Sequence, residues 1–105
     1  MSAKRTSAQV DYGYVSDKEA LIKRLHRVEG QVRGIERMVE EERYCIDILD
    51  QISAVSTALE KVGLRVLDGH VNHCVSDALR SGDPQAAEAK TQELLHAVER
   101  FARAR

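Results

Sequence analysis

The feature that most constrains the fold is a long apolar register, residues 48–79, in which apolar side chains recur at the three- and four-residue spacing of an α-helix. No proline interrupts it, because the only proline of the chain is Pro84. A helix of this length presents more apolar surface than a chain of 105 residues covers by itself. The sequence therefore predicts an all-α fold in which this helix packs against a partner subunit. Its apolar residues are Ile48, Leu49, Ile52, Val55, Leu59, Val62, Val66, Leu67, Val71, Val75 and Leu79.

Two further helices complete the predicted set of three. The first is predicted from a capping box at Ser16 and Glu19 to about Glu42. The last begins at Pro84, after the stop signal of residues 81–83, and runs to the C-terminus. Residues 1–15 lack an apolar period and are predicted to be a mobile tail, so residues 16–105 form a single helical domain. The apolar stripe of the first helix consists of Leu21, Leu25, Val28, Val32, Ile35 and Val39.

Composition narrows the functional classes. The 16 Lys and Arg and the 17 Asp and Glu give a net charge of −1, so any attraction to nucleic acid must come from a local patch. No apolar run approaches the length of a membrane span or a signal peptide, which predicts a cytoplasmic protein without a membrane partner. In that compartment the two cysteines are expected as thiols rather than a disulfide. No nucleophile, base and orienting group occur together, so the chain is not expected to be an enzyme.

Basic residues are concentrated on the first helix, on the face opposite its apolar stripe. Gly30 and Gly34 lie on this face, and glycines inside a helix favour a surface that another group approaches closely. The face is either an ordinary solvated one with charge pairs or a site for the DNA backbone. No helix-turn-helix is present in the pattern, so DNA would bind through a helical surface. The basic residues are Lys23, Arg24, Arg27, Arg33 and Arg37.

Three residues of the long helix have metal-ligand chemistry. His70 and Cys74 are four residues apart, which places their side chains on one helix face. Cys45 precedes His70 by 25 residues, or roughly 37 Å along a continuous helix. Either the helix folds back at Gly63, or the partner's copy of the helix runs antiparallel and completes the site. The second alternative predicts an isologous dimer with two identical intersubunit sites.

The donor set bears on the metal. Two thiolates and one imidazole are soft ligands that favour Cu(I), which accepts three ligands. His73 is available as a fourth ligand, which would suit zinc. In the simplest alternative there is no metal, both cysteines are small buried side chains, and His70 is an interface histidine.

The stretch RLHRVEGQVRGIERMVEEERYCIDILDQISAV, followed by GHVNHC, resembles the copper-sensitive operon repressor family, CsoR/RcnR, over residues 17–100. The resemblance implies an antiparallel dimer with a four-helix core. It also implies that two dimers pair into a flat homotetramer. Members bind operator double-stranded DNA and release it when an inducer occupies the intersubunit site.

The resemblance also assigns roles to residues. The set of Cys45, His70 and Cys74 is similar to that of the Cu(I)-sensing branch, with Tyr44 and Glu88 as hydrogen-bonding neighbours of the metal-bound histidine. The prediction is thus an apo repressor released by Cu(I). A persulfide or thiol redox-sensing repressor of the same fold and a cytosolic copper buffer are the alternatives.

Residues facing DNA are assigned in the same way. Arg24, Arg27 and Lys61 match positions that the family uses toward DNA, in agreement with the basic face. His73 departs from the three-ligand pattern, and its role stays open.

Overall fold

The computed structural model describes residues 12–103, which form helices joined by short turns and contain no strand. The predicted all-α class is therefore confirmed. None of the helices in this part of the chain has an apolar stretch of the length that a bilayer crossing requires. The elements are a 3-10 helix (Gly13–Asp17), α1 (Lys18–Glu40), α2 (Cys45–Gly69), a π-helical segment (His70–Val75), α3 (Ser76–Arg80) and α4 (Pro84–Arg103).

The long apolar register forms one continuous rod in three parts, since α2, the π-helical segment and α3 follow one another without a break. Backbone angles at the junctions stay in the right-handed helical region, with φ −64° and ψ −45° at His70. The helix passes straight through Gly63, so the fold-back alternative at that residue is wrong.

The start of α1 differs from the prediction. The helix begins at Lys18, and Asp17 occupies the N-cap position without a side-chain capping bond, so the capping box of Ser16 and Glu19 does not form. The physical reason is that the preceding 3-10 helix runs directly into α1, and the backbone N–H of Lys18 already donates to the carbonyl of Val15. Of the predicted tail, residues 1–11 lie outside the described part of the chain, and residues 13–15 belong to the 3-10 helix.

A short turn at residues 41–44 folds α2 back along α1. Within this turn Glu42 has φ 56°, and the N–H of Arg43 donates to the carbonyl of Met38 at 2.9 Å. Leu21 and Val28 of α1 are buried in the hairpin together with Val62 of α2. The start of α1 therefore lies beside the last turns of α2.

The predicted stop and restart at residues 81–84 is confirmed. Gly82 adopts φ 77°, a conformation that glycine reaches without a Cβ clash. Asp83 caps α4, because its Oδ1 accepts the N–H of Gln85 at 3.0 Å and its carbonyl accepts the N–H of Ala87 at 3.0 Å. The turn returns α4 toward α2.

The presence of two glycines inside α2 is explained by the close approach of neighbouring residues. A Cβ at Gly63 would lie 2.6 Å from the Phe101 ring, so this glycine makes room for α4. A Cβ at Gly69 would lie 2.9 Å from the carbonyl of Gly13, so this glycine makes room for the 3-10 helix. The cost of glycine to helix stability is thus offset by close packing at both positions.

One face of α2 is left uncovered by the protomer. Large apolar side chains remain exposed along it, and four of them are between 43 % and 56 % exposed. A contiguous apolar face of this kind is typical of a protein interface. The antiparallel dimer and the tetramer stay predictions. The exposed residues include Ile46, Leu49, Ile52 and Leu59.

Candidate metal site and basic groove

His70 and Cys74 both lie on the π-helical segment, where the backbone hydrogen bonds close a wider turn than in an α-helix. Both side chains are partly exposed, and Cys74 is a free thiol. π-helical turns are rare and occur frequently at functional sites. Periodicity did not reveal this segment, because the apolar residues on either side keep helical spacing.

Cys45 is placed at the opposite end of the rod. It is the first residue of α2, an exposed free thiol, while His70 directly follows the last residue of that helix. About 37 Å of helix separates them at 1.5 Å per residue. Among residues 12–103, no three His, Cys, Asp or Glu side chains cluster so that they could hold a metal. One protomer brings together His70 and Cys74 and keeps Cys45 apart from them.

A carboxylate lies beside His70. The Nε2 atom of His70 is 4.0 Å from Oε1 of Glu93, and Nζ of Lys90 lies 3.3 Å from the same oxygen. Within the protomer this neighbour is Glu93 rather than the predicted Glu88, which is exposed on α4. Five residues turn an α-helix by about 140° beyond a full turn, so the two glutamates point in different directions.

The other predicted neighbours lie at the two ends of the rod. Tyr44 is 65 % exposed and stands at the N-cap of α2, next to Cys45 and remote from the same protomer's His70. The Nε2 atom of His73 is 3.8 Å from Oδ2 of Asp77, one helical turn further along.

Four of the six predicted DNA-facing residues line adjoining grooves between α1 and α2. Arg24 and Arg27 line both grooves, Lys61 lines one with Gln31, and Lys23 lines the other. Sequence reasoning missed a fifth cation there, Arg65 of α2, because it lies outside the basic face of α1. We call this surface the basic groove, and it is lined by Lys23, Arg24, Arg27, Lys61 and Arg65.

Arg33 and Arg37 lie further along α1, outside the groove, and both are exposed. Arg33 pairs with Glu29 at 3.5 Å, an exposed ion pair of the ordinary surface kind. A Cβ at Gly30 or Gly34 would meet no atom within 4 Å, so nothing in the protomer requires glycine there. These two glycines are open to an approaching partner.

A two-pronged ion pair closes one end of the basic groove. Nε and Nη2 of Arg65 donate to the two carboxylate oxygens of Asp17, each at 2.7 Å, and both side chains are partly buried. The hydrogen bonds from Arg65 hold the pKa of Asp17 below its usual 3.8, although partial burial opposes this shift. The positive charges of Arg65 and Arg24 each lower the pKa by a smaller amount. The same bonds raise the pKa of Arg65. Forty-eight residues separate the pair, and no local pattern marks it.

Fold and side chains together define an all-helical protein with soft metal donors at both ends of a rod and a basic groove along its first helix hairpin. This combination suits a metal-binding regulator better than a catalyst. Residues 17–100 match the family model described as metal-sensitive transcriptional repressor, and the chain belongs to that family. Its members are transcriptional repressors rather than enzymes.

Individual relatives carry more specific names. The chain is 52 % identical over 92 residues to the copper-sensing transcriptional repressor RicR of Mycobacterium tuberculosis, covering 88 % of this chain and 95 % of that protein. It is similar to the crystal structure of the copper-sensing repressor CsoR with Cu(I) from Geobacillus thermodenitrificans, with 44 % identity and a TM-score of 0.76. The match covers 96 % of this chain and 94 % of that chain. It is also similar to the structure of the nickel-responsive transcriptional regulator InrS, with 40 % identity and a TM-score of 0.68. This match covers 79 % of this chain and 90 % of that chain.

Proposed function

We propose that the protein is a Cu(I)-responsive transcriptional repressor. In this proposal the metal-free protein binds operator double-stranded DNA in the cytoplasm and leaves it when Cu(I) binds at a site shared by two protomers. The observation that carries the proposal is the position of the three donors, with Cys45 at one end of an unbroken helix and His70 and Cys74 just beyond the other. Such a site is complete only with a second copy of the chain.

The donor set fits Cu(I). Both cysteines are free thiols, the exposed Cys45 and the partly buried Cys74, and His70 supplies an imidazole. Soft thiolate ligands select soft metal ions, whereas carboxylates and water select harder ones. Cys45, His70 and Cys74 would hold Cu(I), a soft cation that would link the two thiolates and the imidazole. The names of the copper-sensing relatives support the same choice.

The proposed dimer places one rod antiparallel to the other. Its twofold axis passes near residues 58–60, midway between Cys45 and Cys74. The start of α2 in one protomer then lies beside the end of α2 in the partner. Ala58 is small and half-buried there, and Leu59 is 49 % exposed and free to fill the seam. The dimer covers the apolar face of α2, and two dimers form the proposed homotetramer.

In this proposal Glu93 is the hydrogen-bonding neighbour of the metal-bound histidine. Its Oε1 lies 4.0 Å from His70 Nε2, close enough for a small side-chain rotation to make a hydrogen bond. Carboxylates that accept from a ligand histidine orient its ring and raise its basicity. Glu93→Gln should therefore weaken the effect of Cu(I) on DNA binding. Glu88→Gln is the matched control on the same helix and should leave that effect unchanged.

DNA binding is proposed for the basic groove. Its cations lie on one side of the α1–α2 hairpin, where Lys23, Arg24, Arg27 and Lys61 neutralise phosphates and orient the protein on the duplex. The charge of Arg65 is already paired with Asp17. Each neutralised phosphate releases counterions, so affinity falls steeply as salt rises. A copper buffer that does not act on DNA would show no such salt-dependent binding to an operator fragment.

The decisive test is a titration of operator-bound protein with Cu(I), Zn²⁺, Ni²⁺ and a persulfide, followed by fluorescence anisotropy of labelled DNA. We expect Cu(I) to release the DNA at one equivalent per protomer. Release by persulfide with crosslinked Cys45 and Cys74 would support the redox-sensing repressor instead. Release by Ni²⁺ alone would show that the effector is nickel rather than Cu(I).

A mixed dimer tests the shared site directly. One protomer carries Cys45→Ser and the other carries Cys74→Ser, with different affinity tags so that the mixed species can be purified. An intersubunit site leaves one intact Cu(I) site per mixed dimer and none in either homodimer. A site within one chain would leave none in all three species.

A further inference from the structure

The N-terminal 3-10 helix, Gly13–Asp17, touches the metal-ligand end of α2 with its first residue. Gly13 lies backbone to backbone against Gly69, the residue before His70. A Cβ at Gly69 would be 2.9 Å from the carbonyl carbon and oxygen of Gly13 and 3.0 Å from the amide nitrogen of Tyr14. Backbone atoms do not rotate away as a side chain does, so a displacement of Gly69 displaces the 3-10 helix.

The same short helix touches the basic groove with its last residue. Asp17 accepts two hydrogen bonds from Arg65, both at 2.7 Å, and the positive charge of Arg24 also stabilises its carboxylate. A two-pronged bond of this kind fixes the orientation of a guanidinium as well as its position. Surface ion pairs such as Arg33–Glu29 at 3.5 Å and Arg80–Asp77 at 3.6 Å are longer, single contacts.

We propose that the 3-10 helix is a positioning element that couples the metal site to the basic groove. Five residues join the Gly13–Gly69 contact, adjacent to His70, to the Asp17–Arg65 pair in the groove. A change of backbone at His70 is passed through Gly69 to Gly13, and Asp17 then moves Arg65 relative to Arg24. The inference rests on the proposed function, because it concerns how that function's two sites communicate.

A structural role for the 3-10 helix makes a different prediction from a coupling role. If Asp17 only holds the start of α1 in place, its loss lowers stability and leaves the effect of Cu(I) on DNA binding unchanged. If Asp17 couples the sites, its loss reduces that effect in a folded protein. The ratio of the DNA dissociation constants with and without Cu(I) is therefore the informative measurement.

The test compares Asp17→Asn with Glu19→Gln. Both substitutions remove one negative charge near the start of α1, so both raise DNA affinity by the same electrostatic route. Glu19 is exposed and two residues further along, outside the Arg65 pair. The ratio is measured by anisotropy with the full-length protein, an operator fragment and Cu(I), and circular dichroism confirms helix content.

We expect the wild-type ratio to be about 100, within the usual range for allosteric coupling. Asp17→Asn should reduce it to about 10 or less, while Glu19→Gln should stay within about twofold of wild type. By reciprocity, DNA should weaken Cu(I) binding by the same reduced factor in Asp17→Asn.

A wild-type ratio in Asp17→Asn would overturn the coupling role and leave the repressor function standing. A ratio near one in the wild type would instead overturn the proposed function together with the coupling. Arg65→Lys keeps the charge but loses the two-pronged geometry, so it should show the same reduced ratio. This second variant decides the question should Asp17→Asn fail to fold.

Discussion

Alanine at Gly34 should stabilise the protein and alanine at Gly69 should not, although both glycines lie in helices. Alanine is better than glycine inside a helix by about 1 kcal/mol. A Cβ at Gly34 meets no atom within 4 Å, so Gly34→Ala should gain that amount in the free energy of unfolding. At Gly69 the new Cβ meets the backbone of Gly13 and Tyr14 at 2.9 to 3.0 Å.

The cost at Gly69 follows from this contact. Forcing an extra methyl group into a packed site costs about 1–3 kcal/mol, which cancels or exceeds the gain in helix propensity. Gly69→Ala should therefore be less stable than Gly34→Ala by about 1–3 kcal/mol. In a domain of this size that difference corresponds to a melting temperature lower by at least about 4 °C.

The assay is thermal unfolding followed by circular dichroism at 222 nm, with urea unfolding as a second measure. All variants are compared at one protein concentration, because an oligomer's melting temperature depends on it. Gly30→Ala serves as a second control, since its Cβ also meets no atom within 4 Å. Equal stabilisation by Gly69→Ala and Gly34→Ala would refute the close packing of the 3-10 helix on α2.

Three further outcomes follow from single side chains. Leu21→Ala should lose about 2–4 kcal/mol of stability in urea unfolding, because Leu21 is only 5 % exposed. Because folding lowers the pKa of Asp17, its pair with Arg65 stabilises the protein fully at pH values above the usual pKa of 3.8. This stabilisation is lost as the pH falls through the lower pKa that Asp17 has in the folded protein. Unfolding measured between about pH 2 and pH 6 should therefore depend less on pH in Asp17→Asn than in wild type. Lys61→Ala should weaken operator binding and reduce the slope of log affinity against log salt by about 1, and an unchanged slope would remove Lys61 from the DNA contacts.

The helices were predictable because their signals are local. The apolar spacing from Ile48 to Leu79 predicted the rod, and Gly82, Asp83 and Pro84 marked the stop and restart that the structure contains. The start of α1 was predicted less well. Ser16 and Glu19 match a capping box, but the 3-10 helix satisfies the backbone there first, and tertiary packing on α2 overrides the local signal.

The features around the candidate site that the sequence did not reveal depend on contacts between distant residues. Nothing in the spacing of Asp17 and Arg65 relates them, since the hairpin of α1 and α2 brings them together across 48 residues. The neighbour of His70 within the protomer is Glu93, whereas the family resemblance suggested Glu88, because a match to a family leaves the register of α4 open when the helix contains several glutamates. Gly69 gives no signal of its role in the sequence, because that role depends on its contact with the distant Gly13.

The continuity of α2 limits how the proposed signal can travel. A straight α-helix resists changes in length, so a metal bound at one end cannot act by shortening the rod. The π-helical segment differs, because its hydrogen bonds skip one residue more than those of the helix on either side, and π-helical turns frequently mark functional sites. A return of residues 70–75 to α-helical bonding would rotate everything beyond it relative to α2. Amide hydrogen exchange should therefore change on Cu(I) binding in residues 70–75 and in the 3-10 helix, while the centre of α2 stays protected. Uniform change along the whole rod would contradict this local mechanism.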